Sequence, residues 1–245
     1  MVSSDKANPS KEGEDLAAAM SRLSVRGPAT DTPLPILLVV GEEGIYHFHV
    51  HEELLVKHSK YFEAAMRNGW KEAEEGIIYL SDLHPTDFAT FANFVYTGRV
   101  MTKSDDHDEA TRSDGEWPRL ARAWVLGNRL ISTSYEDAVL DAVVDKMGPP
   151  KYIIPLGFHQ NIYKNTAGDC GMRRFVVDMF AGSGLKEEQK AKMLQDAEGS
   201  DFSLDLAKRM EETTEKRRRL RYPIKTCQYH EHGDKPCYRT MFGQL

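Results

Sequence analysis

Phe48–Phe62 reads FHVHEELLVKHSKYF, and this stretch decides the fold. With the two residues before it, it places His47, His49 and His51 at alternate positions and His58 seven further on. Alternation is the period of a strand. Tyr46, Phe48 and Val50 fall on one face, Ile45, His47 and His49 on the other. The alternation then stops, and EELLVKHSKYFEAAM reads as helix. Ser59 is placed to cap the second of two short helices. A strand rises about 3.2–3.4 Å per residue, so His47 and His51 stand roughly 13 Å apart. Zinc–nitrogen bonds are about 2.0–2.1 Å long, so three histidines strung along one strand cannot share a zinc ion. His47 and His49 read as surface residues. His51 reads as a strand-to-helix junction residue whose ring caps or hydrogen-bonds the backbone.

Working outward, ILLVV (Ile36–Val40) reads as a buried strand, GEEG as a hairpin turn, and GIIYL (Gly76–Leu80) as a third strand. HPTDFATFANFVYTG reads as a helix. Pro85 suits its first turn, Phe88, Phe91, Ala92 and Val95 form its apolar stripe, and Gly98 suits its exit. Residues from about 101 to 117 lack apolar periodicity and read as a mobile acidic loop. Two helices come next, with apolar faces of Leu120, Ala123, Trp124, Gly127 and Ile131, then Tyr135, Ala138, Val139, Ala142 and Val143. Ser134-x-x-Asp137 offers a capping box for the second, and Gly148-Pro149-Pro150 ends it. Met172, Phe175, Val176 and Met179 mark another helix, and charged helices are expected over roughly Lys186–Glu198 and Phe202–Arg221. The order implies an α+β fold: a small mixed sheet covered by a helical bundle, followed by additional C-terminal helices. The expected divisions are a disordered tail (1–33), a first domain (34–147), a helical extension (148–221) and a Cys/His-containing tail (222–245).

The chain has 245 residues and a formal net charge of −6, which argues against wholesale nucleic-acid binding. Its longest aliphatic run is Ile36–Val40, far too short to span a bilayer, and no secretory signal is expected from the polar start. Three cysteines suit a reducing cytoplasmic or nuclear compartment better than a disulfide scaffold. There is no Gly-rich phosphate loop and no Gly-x-Ser-x-Gly elbow. Cys170, followed by Arg173 and Arg174, has surroundings that could lower its pKa, but without a base it reads as a packing residue rather than a nucleophile.

The framework of Phe48, His51, Ser59 and Phe62 resembles the BTB/POZ family, whose motif runs Phe-x-x-His, Leu, then Ser-x-x-Phe. GWKEAEEGIIYLSDLHPTDFATFANFVYTGRV continues the likeness through the strand, the Pro-started helix and its Tyr-Thr-Gly ending. The core of the resemblance covers roughly residues 34–147. WVLGNRLISTSYEDAVLDAVV and NIYKNTAGDCGMRRFVVDMFA resemble the longer BTB proteins of filamentous fungi and extend it to about residue 182. The resemblance implies a non-enzymatic protein–protein interaction module that self-associates as a homodimer or oligomer. In many members it also implies recruitment of a protein substrate to a cullin-type ubiquitin ligase. Cullin-recruiting members carry a hydrophobic-x-Glu triplet where this chain has Trp70, Lys71 and Glu72, and a Trp flanked by charge makes a good interface anchor. The family often has an Asp before the first strand, used in the charged dimer pocket of repressor members. Pro35 stands there instead.

Two features lie outside the resemblance. Cys227-x2-His230-x-His232-x4-Cys237 places two thiols and two imidazoles within eleven residues, and Gly233 and Pro236 let the chain turn back. The set suits a structural zinc ion, although the spacing is not that of a DNA-binding finger. No other cofactor is expected. Lys216, Arg217, Arg218, Arg219 and Arg221 form a basic run, readable as a nuclear-import signal or as a solvated helix end. Together these features make a nuclear regulatory protein with a zinc-binding tail the alternative reading. Neither a membrane nor nucleic acid is an expected partner.

Overall fold

The computed structural model describes residues 35–42, 44–67, 76–102, 109–148, 154–182, 188, 199–216 and 224–243. The expected N-terminal tail, the Trp70-Lys71-Glu72 triplet and nearly all of the helix expected over 186–198 lie outside the described residues.

Three strands form a mixed sheet in the order β2-β1-β3. β1 (Pro35–Val40) pairs antiparallel with β2 (Tyr46–His51), Leu38 opposite Phe48, and parallel with β3 (Ile77–Leu80), Leu38 opposite Ile78. Because side chains alternate across a strand, this register sorts the sheet into two faces. Ile36, Leu38, Val40, Val50, Ile78 and Leu80 are buried on the inner face. The outer face carries Leu37, Val39, His47, His49, Ile77 and Tyr79, with Tyr79 61% exposed.

Two short helices, α1 (Glu52–His58) and α2 (Lys60–Arg67), meet at Ser59 as expected. Its hydroxyl accepts the Phe62 N–H (3.2 Å), which caps α2, and donates to the Leu130 carbonyl (2.7 Å). α3 (Pro85–Thr97) begins on proline and exits through Gly98 at φ +68°, a left-handed conformation that favours glycine. Phe88, Phe91, Phe94 and Val95 are all buried on its inner side.

α4 (Glu109–Arg129) and α5 (Thr133–Met147) pack against each other. Residues 109–117 therefore belong to a helix rather than to the expected acidic loop. The end of that segment looks aperiodic because its contacts are made with distant residues. Glu116 pairs with Lys146 (2.6 Å) and accepts from Thr102, while Trp117 meets Phe158 edge-on with ring centroids 5.5 Å apart. Ile131 corrects a second expectation. Instead of completing the apolar face it is 53% exposed, at φ +49°, where the chain leaves α4. The Ser134–Asp137 capping box is not formed either. α5 starts one residue before Ser134, whose hydroxyl meets His58 Nδ1 (3.2 Å), and Asp137 accepts the Glu231 N–H (2.7 Å).

The extension contributes α6 (Leu156–Asn165), α7 (Gly171–Gly182) and α8 (Asp201–Lys216), with α7 packed on both α6 and α8. Met172, Phe175 and Val176 are buried as expected, and Met179 is partly so. A 3-10 turn (Thr226–Tyr229) and the single-turn α9 (Tyr238–Met241) end the described chain. One apolar cluster runs from Ile36 through the extension to Tyr229 and Tyr238, so the tail is built into the core.

Candidate metal centre

The strand histidines do not converge. His47 Nε2 lies 3.2 Å from the Gly44 carbonyl, and His49 is exposed. His51 stands at the N-cap position of α1, but its ring makes no capping bond to that helix. The Tyr96 hydroxyl accepts its backbone N–H (3.1 Å) and is hydrogen-bonded to its Nδ1 (2.8 Å), linking the end of β2 to α3. His58 is buried, and burial lowers its pKa to about 4. It is a neutral packing residue.

Cys227, His230, His232 and Cys237 do converge. One ligand atom from each lies within 4.8 Å of all the others. The 3-10 turn carries Cys227, His230 caps its end, and Gly233 at φ +57° turns the chain after His232. A hydrogen bond from the Lys235 N–H to the His232 carbonyl (3.0 Å) closes that turn, and Cys237 then stands at the N-cap position of α9, without a side-chain capping bond. The two sulfurs are 4.0 Å apart, and Cys237 Sγ is 3.5 Å from His230 Nδ1. A tetrahedral zinc ion with Zn–S bonds of about 2.3 Å and Zn–N bonds of about 2.0–2.1 Å has edges of about 3.3–3.8 Å. The observed spacings are close to those edges and well beyond a disulfide of about 2.05 Å.

The imidazoles are also oriented as ligands. His230 Nε2 faces Asp141 Oδ1 (3.2 Å), and His232 Nδ1 donates to the Gly233 carbonyl (2.8 Å). Each ring thus has one nitrogen tied to an acceptor and the other left for a metal, the usual outer-shell arrangement around zinc. His232 Nε2 is buried with no hydrogen-bond partner among the described residues, an arrangement that an ion would satisfy.

The shell around the four comes largely from α5. Asp141 accepts from His230, from Arg239 (2.6 and 2.9 Å) and from the Tyr238 hydroxyl. Burial pushes its carboxyl up, but hydrogen bonds, led by that with His230, outweigh this and hold it below the ordinary range. Asp137 lies 3.9 Å from His230 Nδ1, and burial raises its pKa to about 6. Burial and the adjacent Cys227 push the Cys237 thiol up. A divalent cation would supply the charge that two neighbouring thiolates need. α7 holds the other side. Arg174 pairs with Glu231 (2.9 Å), the Tyr229 hydroxyl donates to Asp178 (2.8 Å), and the Tyr229 carbonyl lies where a Cβ on residue 171 would sit. Only glycine allows that approach.

Asp137 and Asp141 are supports for this site that reading the sequence misses. A signal for them exists: two carboxylates four residues apart among Tyr135, Ala138 and Val139 on a helix. The other expected sites give less. Trp70, Lys71 and Glu72 lie outside the described residues, as do Arg217, Arg218, Arg219 and Arg221, and Lys216 is the last residue of α8. Burial pushes the Cys170 thiol up, opposite to what a nucleophile needs. A cleft of about 710 Å³ beside α7 and α8 is lined by ion pairs such as Arg209–Asp178 and Arg174–Asp169. No described helix is long and apolar enough to cross a membrane.

Comparison with known proteins bears on the N-terminal half. The BTB/POZ domain family matches residues 34–114. GDNF-inducible zinc finger protein 1 of Rattus norvegicus is 33% identical over 72 residues, 29% of this chain and 10% of that protein. BTB and MATH domain-containing protein 15 of Caenorhabditis elegans is 36% identical over 61 residues, 25% of this chain and 21% of that protein. The matches thus span about a fifth or less of these relatives. Among solved structures, the BTB (Tramtrack and Bric a brac) domain of human gigaxonin aligns with 58% of this chain and 98% of its own. That alignment has 14% identity and a TM-score of 0.33. With the motif, the element order and the family match in agreement, residues 34–114 of this chain are a BTB/POZ domain, a protein-interaction module.

Proposed function

We propose that the protein is a non-catalytic adaptor that self-associates through its BTB/POZ domain and carries a structural zinc ion in its tail. The observation supporting self-association is the outer face of the sheet. Tyr79 is 61% exposed there beside the half-buried Leu37 and Ile77, with His47 and His49 as polar neighbours. Such a face gains by covering its apolar part with a second copy. Light scattering on wild-type protein and Tyr79→Glu tests this. A dimer that the substitution dissociates supports the reading. A monomeric wild type, or a variant that stays dimeric, opposes it.

The zinc reading rests on the four converging ligands and on the anchored outer nitrogens of both imidazoles. When bound, the ion would tie the 3-10 turn to the start of α9 and need take no part in chemistry. Thiolate ligands suit the cytoplasm or nucleus. For partners, the family resemblance favours a cullin scaffold met by Trp70, Lys71 and Glu72, with a protein substrate held elsewhere. Pull-down with Trp70→Ala/Glu72→Ala is expected to lose the cullin, and unchanged recovery would sink that assignment.

A further inference from the structure

We infer that the metal centre is a redox-releasable clasp that holds the tail over the BTB/POZ helices. This rests on the zinc reading above and adds its regulation. The two cysteines are unequal in exposure, Cys227 exposed and Cys237 partly buried, and their sulfurs are 4.0 Å apart. A peroxide can therefore reach Cys227 while Cys237 stands ready as the resolving thiol.

The Cys227 thiolate attacks the O–O bond of hydrogen peroxide, forms a sulfenic acid and expels hydroxide. The Cys237 thiolate then attacks the Cys227 sulfur, the S–O bond breaks, and a second hydroxide leaves as the S–S bond forms. Two thiolates lose two electrons, and one peroxide becomes two hydroxides. The sulfurs must close from 4.0 Å to about 2.05 Å, and their metal-binding charge disappears. Two imidazoles alone then hold the zinc ion, and it departs.

Release reaches the BTB/POZ domain through the residues after Cys237. Cys237 is the residue from which α9 starts, and α9 is a four-residue helix too short to persist unsupported. Next comes Phe242, whose ring stacks on His58 at the end of α1 (5.1 Å, 16° between planes) and meets Phe94 of α3 at 5.5 Å. Drawing Cys237 toward Cys227 moves the start of α9 and loosens Phe242 from both rings. Oxidation thus uncovers a face made by α1, α3 and α5.

The test uses the full-length protein purified with reductant and without chelator. Zinc released by hydrogen peroxide is followed with a chromophoric chelator, the Cys227–Cys237 bond by peptide mass, and the tail by hydrogen exchange. One zinc per chain should leave as the disulfide forms, with exchange at 238–243 rising at least tenfold and reversing on reduction with added zinc. Cys170→Ser should behave as wild type. Protein that carries no zinc at the outset would defeat the metal reading and this inference with it. Bound zinc that survives peroxide, leaves without the disulfide, or leaves with the tail still protected would defeat the clasp alone.

Discussion

Asp141→Asn probes the metal centre without touching a ligand. Asp141 offers two oxygens to three side chains: Oδ1 to His230 and Arg239, Oδ2 to Tyr238 and Arg239. Asparagine has almost the same shape but only one acceptor oxygen. Either orientation turns an NH2 group toward donors, facing His230 and Arg239 in one case and Tyr238 and Arg239 in the other. The His230 ring then loses its charged acceptor or is crowded out of place, and its Nδ1 becomes a poorer ligand. Loss of an outer-shell carboxylate of this kind costs about 10–100-fold in metal affinity, or about 1.4–2.7 kcal/mol. Competition against a chelator of known zinc affinity reads the change, with circular dichroism confirming that the helices persist. Affinity within twofold of wild type, in a folded variant, would refute the claim that Asp141 orients a zinc ligand.

Ser59→Ala removes a helix cap and a buried hydrogen bond to the Leu130 carbonyl, a loss of about 2 kcal/mol. The urea midpoint should fall without a change in slope, and an unchanged midpoint would remove Ser59 from its central place. Gly171→Ala sets a Cβ against the Tyr229 carbonyl oxygen and should cost about 1–3 kcal/mol, with faster hydrogen exchange at 226–230. Wild-type stability would show that the tail does not approach α7 so closely. His159 is buried against Phe180 and Phe202, and burial lowers its pKa from 6.5 to about 4. Between those values the unfolded chain binds the extra proton, so this contribution to stability is complete above about pH 6.5 and is lost as pH falls toward 4. Urea midpoints measured across that range should fall less steeply for His159→Phe than for wild type. Some slope should remain, because His58 shifts in the same direction.

The first half of the chain is legible because its local signals agree with its packing. Alternation at Tyr46–Val50, the Ser59 cap, Pro85 and Gly98 each act within a few residues, and the fold uses them as written. The misread elements answer to distant partners. Glu116 and Trp117 join a helix because Lys146 and Phe158 meet them, and no window of sequence around residue 110 contains either. Ser134 and Asp137 match a capping box in spacing, but His58 and Glu231 take their side chains instead. The candidate metal ligands are readable because all four lie in eleven residues with turn formers between them. Their supports on α5 are not, because about ninety residues separate Asp141 from His230.

The proposed self-associating module with a zinc-clasped tail has two signatures, and native mass spectrometry of the full-length protein reads both at once. The expected species is a dimer carrying two zinc ions that dissociates when Tyr79 is changed to Glu while each monomer keeps one ion. A metal-free monomer from reducing, chelator-free purification would contradict both halves of that description.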